Sequence, residues 1–436
     1  MLNRRILHLA IPNIVTNITI PLLAMVDLGL MGHQGDVKYI GAVALGGMIF
    51  SFIFWAFGFL RMGTSGFTAQ AYGQRNFAEA GNILVRAVAT AFGGGLLLIL
   101  LQWPISWAAF SIVHASLPVE ELAHNYFSIR IYAAPATLFI YAVTGWFIGM
   151  QNARMPMILA ISVNVLNVLL SLIFINVLKL GSNGVAWANV ISQYSGLLLG
   201  LFLLSFYRSK IAKKVLLSAA LNRHAFKRFI HVNKDIFIRT LCLIFTLSFF
   251  TTQSANTSDT ILAVNTLLFQ FFYFFSYFVD GFAYAAEALA GRYIGAGDRL
   301  MFRKVICRLF TWGGAIALIF TLIFWMGGDF ILKLLTNDPA TIHAAGPFMF
   351  WVVLIPAITF AAFIWDGIYV GATASKAMRN SMVIITTIIF LPAYYLLEPV
   401  LGNNGLWLAM MLFMGARGVF LTVMAPKSVY ISCAHG

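Results

Sequence analysis

TGWFIGMQNAR, residues 144–154, is echoed by DGIYVGATASK, residues 366–376, with Gly145, Gly149 and Arg154 matched by Gly367, Gly371 and Lys376, each 222 residues later. A second pair, GSNGVAWAN from Gly181 and GNNGLWLAM from Gly402, repeats at an offset of 221. Two separated matches near half the chain length imply an internal duplication. The long basic stretch SFYRSKIAKKVLLSAALNRHAFKRFIHVNKD falls at the midpoint. The expected organisation is an N-terminal lobe over 1–207, a basic linker over 208–231 and a C-terminal lobe over 232–436.

Composition says what is duplicated. Of 436 residues, 61% are hydrophobic and 10% charged, with a mean hydropathy of +0.88; a soluble domain carries roughly 25% charged residues. Apolar runs long enough to span a bilayer recur from end to end. Twelve helices are predicted, near 7–32, 40–72, 84–110, 126–150, 156–180, 184–207, 232–252, 260–290, 307–327, 345–372, 380–401 and 405–425. The expected fold class is an all-α integral membrane protein, twelve transmembrane helices in two six-helix lobes. Six helices per repeat give both halves one orientation, hence a pseudo-two-fold axis along the membrane normal and a cavity between the lobes. That is transporter architecture.

The net charge of +14 gathers in alternate loops rather than on one domain, which points to topology and not to nucleic acid. With the N-terminus inside, the cytoplasmic side receives Arg4, Arg5, Arg75, Arg86, Arg154, the cluster Arg208 to Arg239, Arg292 to Arg308, Lys376 and Arg379. The outside receives only Lys38, Arg130, Lys179 and Lys333. A multi-pass protein of the cell inner membrane with both termini cytoplasmic is expected, and no removable leader is read at the first span. Cys242, Cys307 and Cys433 lack metal or redox spacing and read as inert thiols.

Asp27 stands inside the first apolar run, in PLLAMVDLGLMG. A carboxylate at membrane depth is expensive unless it faces a cavity, finds partners or takes a proton. It therefore reads as a functional residue, with a satisfied helix–helix hydrogen bond as the plainer alternative. Asp280 and Glu287, seven apart, lie on one helix face, and Asp366 opens the second copy of the repeat motif. The run LLFQFFYFFSYF places Gln270, Tyr273 and Tyr277 among phenylalanines, a surface suited to stacking on flat cations or simply to facing lipid. Arg61 is a buried cation whose partner the sequence does not name. No HExxH, GxSxG or phosphate-binding loop occurs, so a zinc protease, a serine hydrolase and an ATP-driven pump find no support.

The repeat pair, with AIPNIV, AMVDLGLMG, AQAYGQRN and YFVDGFAYAAEALAGRYIGAGD, resembles the multidrug and toxic compound extrusion (MATE) family, and its DinF-like branch most closely. The resemblance covers nearly the whole chain. It implies a twelve-helix antiporter exporting organic, often cationic, compounds in exchange for H⁺ or Na⁺, with membrane lipids around it, no cofactor, no bound metal and no enzymatic activity, working as a monomer. By the same resemblance Asp27 matches the aspartate of the coupling site, Asn167 the helix-5 asparagine, and Asn189 a position often occupied by threonine. Ser171 replaces a second aspartate, which favours H⁺ coupling. Asp366 matches an important helix-10 aspartate, whereas the helix-7 glutamate of the Na⁺-coupled branch has no counterpart. Pro12 matches the proline at which helix 1 of the family bends; an ordinary tolerated transmembrane proline is the alternative. The implied cycle is alternating access, in which a proton on Asp27 rearranges its bonds to Asn167 and Asn189 and displaces substrate. A flippase for lipid-linked precursors shares the broader architecture, but the candidate charges at membrane depth read as mostly acidic. A Na⁺-coupled drug antiporter is the other alternative.

Overall fold

The computed structural model describes residues 2–32, 37–112, 116–207, 209 and 220–430. Twelve of its helices are long and apolar enough to cross a membrane. They are α1 (Leu2–Met31), α2 (Lys38–Gly73), α3 (Phe77–Leu100), α4 (Leu117–Gly149), α5 (Arg154–Val177) and α6 (Gly181–Ser205). The second six are α7 (Arg223–Thr257), α8 (Asp259–Gly295), α9 (Arg299–Leu335), α10 (Pro339–Gly371), α11 (Ser375–Leu401) and α12 (Asn403–Tyr430). No strand occurs among the described residues. The protein is thus an all-α, multi-pass membrane protein, since in hydrocarbon a helix is the element that satisfies its own backbone.

Helix ends depart from the hydropathy reading where polar residues are helical. The third helix starts at Phe77 and not near 84, because the Asn76 side chain accepts the Glu79 N–H at 3.0 Å and caps it. The fourth begins at Leu117, its first turn carrying a proline where no N–H is needed. α7 begins at Arg223 and runs unbroken to Thr257, so it takes in basic residues that read as loop by charge. Cys433 lies outside the described residues.

The duplication extends to individual backbone atoms. Asn76 caps α3 and Asp298, 222 residues later, caps α9 by accepting the Met301 N–H at 2.9 Å. The residue before each cap, Arg75 and Gly297, has a positive φ of 57° and 66°. Between α4 and α5 Gln151 has φ 64°, and its counterpart Thr373, between α10 and α11, has φ 53°. The turns are closed alike: Asn152 N–H bonds to Phe147 O at 2.9 Å, and Ala374 N–H to Tyr369 O at 3.0 Å.

The repeated glycines explain why the motif is legible. A Cβ on Gly145 would collide with the Arg61 carbonyl, and one on Gly367 with the Ala283 carbonyl, again 222 residues on. Gly149 meets α2 at Ser65 O, where the added atom would lie 2.7 Å away; Gly371 meets α8 at Glu287 O, at 2.5 Å. Each half therefore needs two glycines one turn apart so that its fourth helix can touch the backbone of its second, the small-residue packing that membrane helices use in place of a hydrophobic drive.

The chain divides into two compact units, 15–230 and 1–14 with 231–436. In the first, a continuous core includes Phe50, Phe127, Leu138, Phe139, Trp146 and Phe147, all fully or almost fully buried. In the second, residues 1–14 are tied in by Arg5, whose Nη1 donates to Tyr293 OH at 3.1 Å, and by Ala10, whose carbonyl stands 2.9 Å from where a Gly281 Cβ would be. Pro12 thus belongs to the second unit while Asp27, on the same helix, belongs to the first.

Gly145→Val and Gly367→Val are each expected to lower stability by about 1–3 kcal/mol through overpacking against backbone. Gly93→Val, at a position with nothing within 4 Å of its Cβ, is the control and should leave the melting temperature in detergent unchanged. Equal melting of all three variants would contradict the close-approach reading.

Candidate functional site

In the first unit Asp27 is half-buried on α1, and its Oδ1 is buried without a hydrogen-bond partner among the described residues. The charge of Arg130, on α4, acts on this carboxylate, and both charges act on the Tyr126 phenol. Arg130 Nη1 donates to Tyr126 OH at 2.5 Å, and its guanidinium lies 5.0 Å from the Phe50 ring centroid and 5.5 Å from that of Tyr126. Arg61, on α2, acts together with Arg130 on the Tyr141 phenol.

The α5 and α6 groups form a neighbouring set. Asn167 is buried, and its Nδ2 donates to Ser192 Oγ at 3.3 Å; Ser192 in turn donates to the Asn189 carbonyl at 2.9 Å. Asn167 Oδ1 and the fully buried Ser171 Oγ have no hydrogen-bond partner among the described residues. Asn164 Nδ2 donates to Thr19 Oγ1 at 2.9 Å, which fastens α5 to α1. Alternate helices run the same way, so Asp27, eight residues beyond Thr19, and Ser171, seven beyond Asn164, reach a similar depth, roughly 11–12 Å past that bond. Asp27 itself makes no hydrogen bond to Asn167 or Asn189 in this structure; Asn167 is engaged with Ser192 instead.

The second unit holds its charges differently. Asp366 Oδ2, on α10, accepts from Arg239 Nη2 of α7 and from Arg417 Nη2 of α12, the latter at 2.6 Å. Arg417 is completed by Met414 Sδ at 3.1 Å, and the Asp280 charge also acts on it. The structure therefore brings Asp366 and Asp280 to one guanidinium. Tyr273, Tyr277 and Asp280 follow one another up one face of α8, and the Asp280 charge acts on Tyr277. Both tyrosines are half-buried, whereas Gln270 is exposed, with its amide turned back to Thr266 O at 3.4 Å. Glu287 is buried on α8, at the place that Ser65 holds in the first unit. Phe269, Phe272, Trp407, Met410 and Met414 line a small apolar cavity in this unit.

Several charged residues escaped the sequence reading. Asp235 is fully buried on α7 and accepts from Ser375 Oγ at 3.0 Å and from Arg379 Nη1 at 2.5 Å, pinning α7 to the start of α11. Arg239 and Arg417 are buried partners of Asp366, and Arg239 had been placed in the cytoplasmic cluster. Arg130 had been placed outside the membrane and lies within the α4 span. The charges inside the spans are consequently mixed in sign, not mostly acidic. The signal available for Arg239 was its spacing: it follows Asp235 by one helical turn.

Among the described residues no group of three or more His, Cys, Asp or Glu side chains is placed to hold a metal. Cys242 is half-buried and Cys307 exposed, and neither forms a disulfide there.

Asp366→Leu would leave two guanidiniums buried without their acceptor, a loss of about 3–5 kcal/mol. Replacing Arg239, Asp366 and Arg417 together by Met, Leu and Met should restore most of that stability in thermal melts. A single Asp366→Leu variant as stable as the wild type would contradict the ion-pair assignment.

The MatE family model matches residues 12–173 and 236–396, once in each half of the duplication. DNA damage-inducible protein F of Escherichia coli (strain K12) is 37% identical over 418 residues, covering 95% of this chain and 90% of the relative. A MATE transporter solved in the bent conformation superposes with a TM-score of 0.88 at 18% identity, covering 99% of this chain and 96% of the other. A MOP superfamily transporter from Pyrococcus furiosus, described as having a binding pocket of reversed polarity that suggests a different function, gives 0.86 at 17% identity, with coverage of 99% and 96%. At these identities the solved structures speak for the fold.

Proposed function

Because the chain belongs to the MatE family, we propose that it is an H⁺-coupled antiporter that exports organic, often cationic, compounds by alternating access, with Asp27 as the residue that carries the proton. It works as a monomer in the cell inner membrane, with both termini in the cytoplasm. The observation that supports this reading most is the unpartnered, buried Oδ1 of Asp27. A carboxylate held in a span without its full set of hydrogen bonds gains by taking a proton, and an uptake that depends on surroundings is what coupling requires.

The groups on α5 and α6 supply the other half of the coupling. Asn167 Oδ1 and Ser171 Oγ are buried acceptors with room for one more bond each, and a protonated Asp27 is a donor that the ionised form is not. Protonation therefore creates an interaction that exists in one charge state only. Substrate and proton need opposite conformational preferences for this to drive export, since a ligand that binds both states equally shifts nothing. In the second unit Asp280, with Tyr273 and Tyr277 beside it, is the better candidate for contact with a cationic substrate, because Asp366 already holds two arginines.

The flippase alternative gains one observation, the buried Arg239 and Arg417, which suit an anionic headgroup. Both are bonded to Asp366, so a phosphate would have to displace that carboxylate. The antiporter reading needs no such exchange.

Proteoliposome efflux with ΔpH and ΔNa⁺ imposed separately tests the proposal. Wild-type protein should be driven by ΔpH alone in the absence of Na⁺, and Asp27→Asn should abolish coupled export at unchanged expression. Strict Na⁺ dependence at zero ΔpH, or wild-type efflux from Asp27→Asn, would overturn it.

A further inference from the structure

Arg130 is held more firmly than a cation at the edge of a membrane needs to be. Its Nη1 is bonded to Tyr126 OH at 2.5 Å, and its guanidinium lies over Phe50 and beside the Tyr126 ring. Tyr126 is 1% exposed and packs where a Cβ on Gly46 would be, and a Cβ on Gly47 would stand 3.9 Å from Arg130 Nη1. The charge is therefore fixed on α4 against α2. It is also partly stripped of water, since Nε is buried with no hydrogen-bond partner among the described residues.

The charge acts on Asp27 without closing its carboxylate. Oδ1 of Asp27 is buried and unpartnered, and so is Arg130 Nε, so the two atoms are not bonded to each other. The Arg130 charge is the one that acts on Asp27, while Arg61 joins it at Tyr141. Asn167 and Ser171, the α5 groups at the same depth, are neutral. Arg239 and Arg417 in the second unit, by contrast, are each spent on Asp366. Arg130 is thus a fixed positive charge near the coupling carboxylate and bonded to a phenol.

A nearby positive charge opposes any cation that approaches Asp27, but H⁺ and Na⁺ meet that opposition with different reserves. A proton forms a covalent O–H bond, with an affinity for an ordinary carboxylate of about 10⁴ M⁻¹, which burial increases. Hard metal cations bind only through the sum of several oxygen contacts, and with Ser171 in place of a second carboxylate that sum is small. The same repulsion leaves a usable affinity in one case and none in the other, a specificity achieved by an opposing element rather than by a better fit. We propose that Arg130 is a specificity-determining residue of the Asp27 site: its fixed guanidinium charge keeps Na⁺ away from the carboxylate and leaves it open to H⁺. This inference rests on the reading of Asp27 as the coupling residue.

The test measures ion binding directly, so that it does not depend on transport. The purified full-length protein in detergent is melted in Na⁺ and in K⁺ at equal ionic strength. Wild type and Arg130→Lys, which keeps the charge, should show no Na⁺-specific change. Arg130→Gln should gain a saturable, Na⁺-specific rise in Tm of a few degrees, the signature of a ligand bound by the folded state. Adding Asp27→Asn to Arg130→Gln should remove that rise. Should Arg130→Gln fail to fold, Arg130→Met supplies a neutral side chain of similar reach. A folded neutral variant that remains indifferent to Na⁺ overturns the proposal, as does a Na⁺ response in the wild type or in Arg130→Lys. Efflux driven by ΔpH in wild-type proteoliposomes is scored separately: its loss would sink the functional reading, while the melts alone decide the role of Arg130.

Discussion

An ionisable side chain carried into a bilayer has to be answered inside the protein, because the hydrocarbon answers nothing. In this chain most such groups are answered fully. Asp366 has two arginines, and Asp235 has an arginine and a serine; each of these clusters ties helices that are distant in sequence. Asp27 is answered only in part, by a charge that acts on it and by no bond to its buried oxygen. The contrast separates carboxylates that hold the second unit together from the one that is left able to change its protonation state.

That separation alters the roles assigned to the acidic residues. Asp366 sits on a motif that fits a substrate or ion contact, yet its Oδ2 is already shared by Arg239 and Arg417, and removing either partner would leave a charge stranded. Asp280 is half-buried, with Tyr273 and Tyr277 on the same face, and is better exposed to a ligand. Within the first unit, charge and fit divide the work. Tyr126 and Phe50 fix Arg130, the Thr19–Asn164 bond sets α1 against α5, and the buried acceptors of Asn167 and Ser171 wait at the depth of Asp27.

The twelve spans and the duplication were legible because both are written in residues that lipid and close packing select directly. Long apolar runs show the spans, and Gly145, Gly149, Gly367 and Gly371 could hold no larger side chain. The partners of the buried charges were not legible. The positive-inside rule counts every basic residue near a span as loop, so Arg239, sixteen residues inside a continuous α7, and Arg130, within α4, were read as lying outside the membrane. Asp235 was hidden for the same reason, inside the basic run that opens α7. Asp27 was legible as an anomaly within its own helix, whereas what surrounds it depends on pairings between helices that a single sequence does not record.

The central claim is that Asp27 exchanges a proton against substrate. Adding a cationic substrate to the purified protein in weakly buffered detergent solution, with a pH indicator, measures this directly. The account predicts release of about one proton per substrate bound, and no release from Asp27→Asn. Stoichiometric substrate binding to the wild type with no proton released would contradict it.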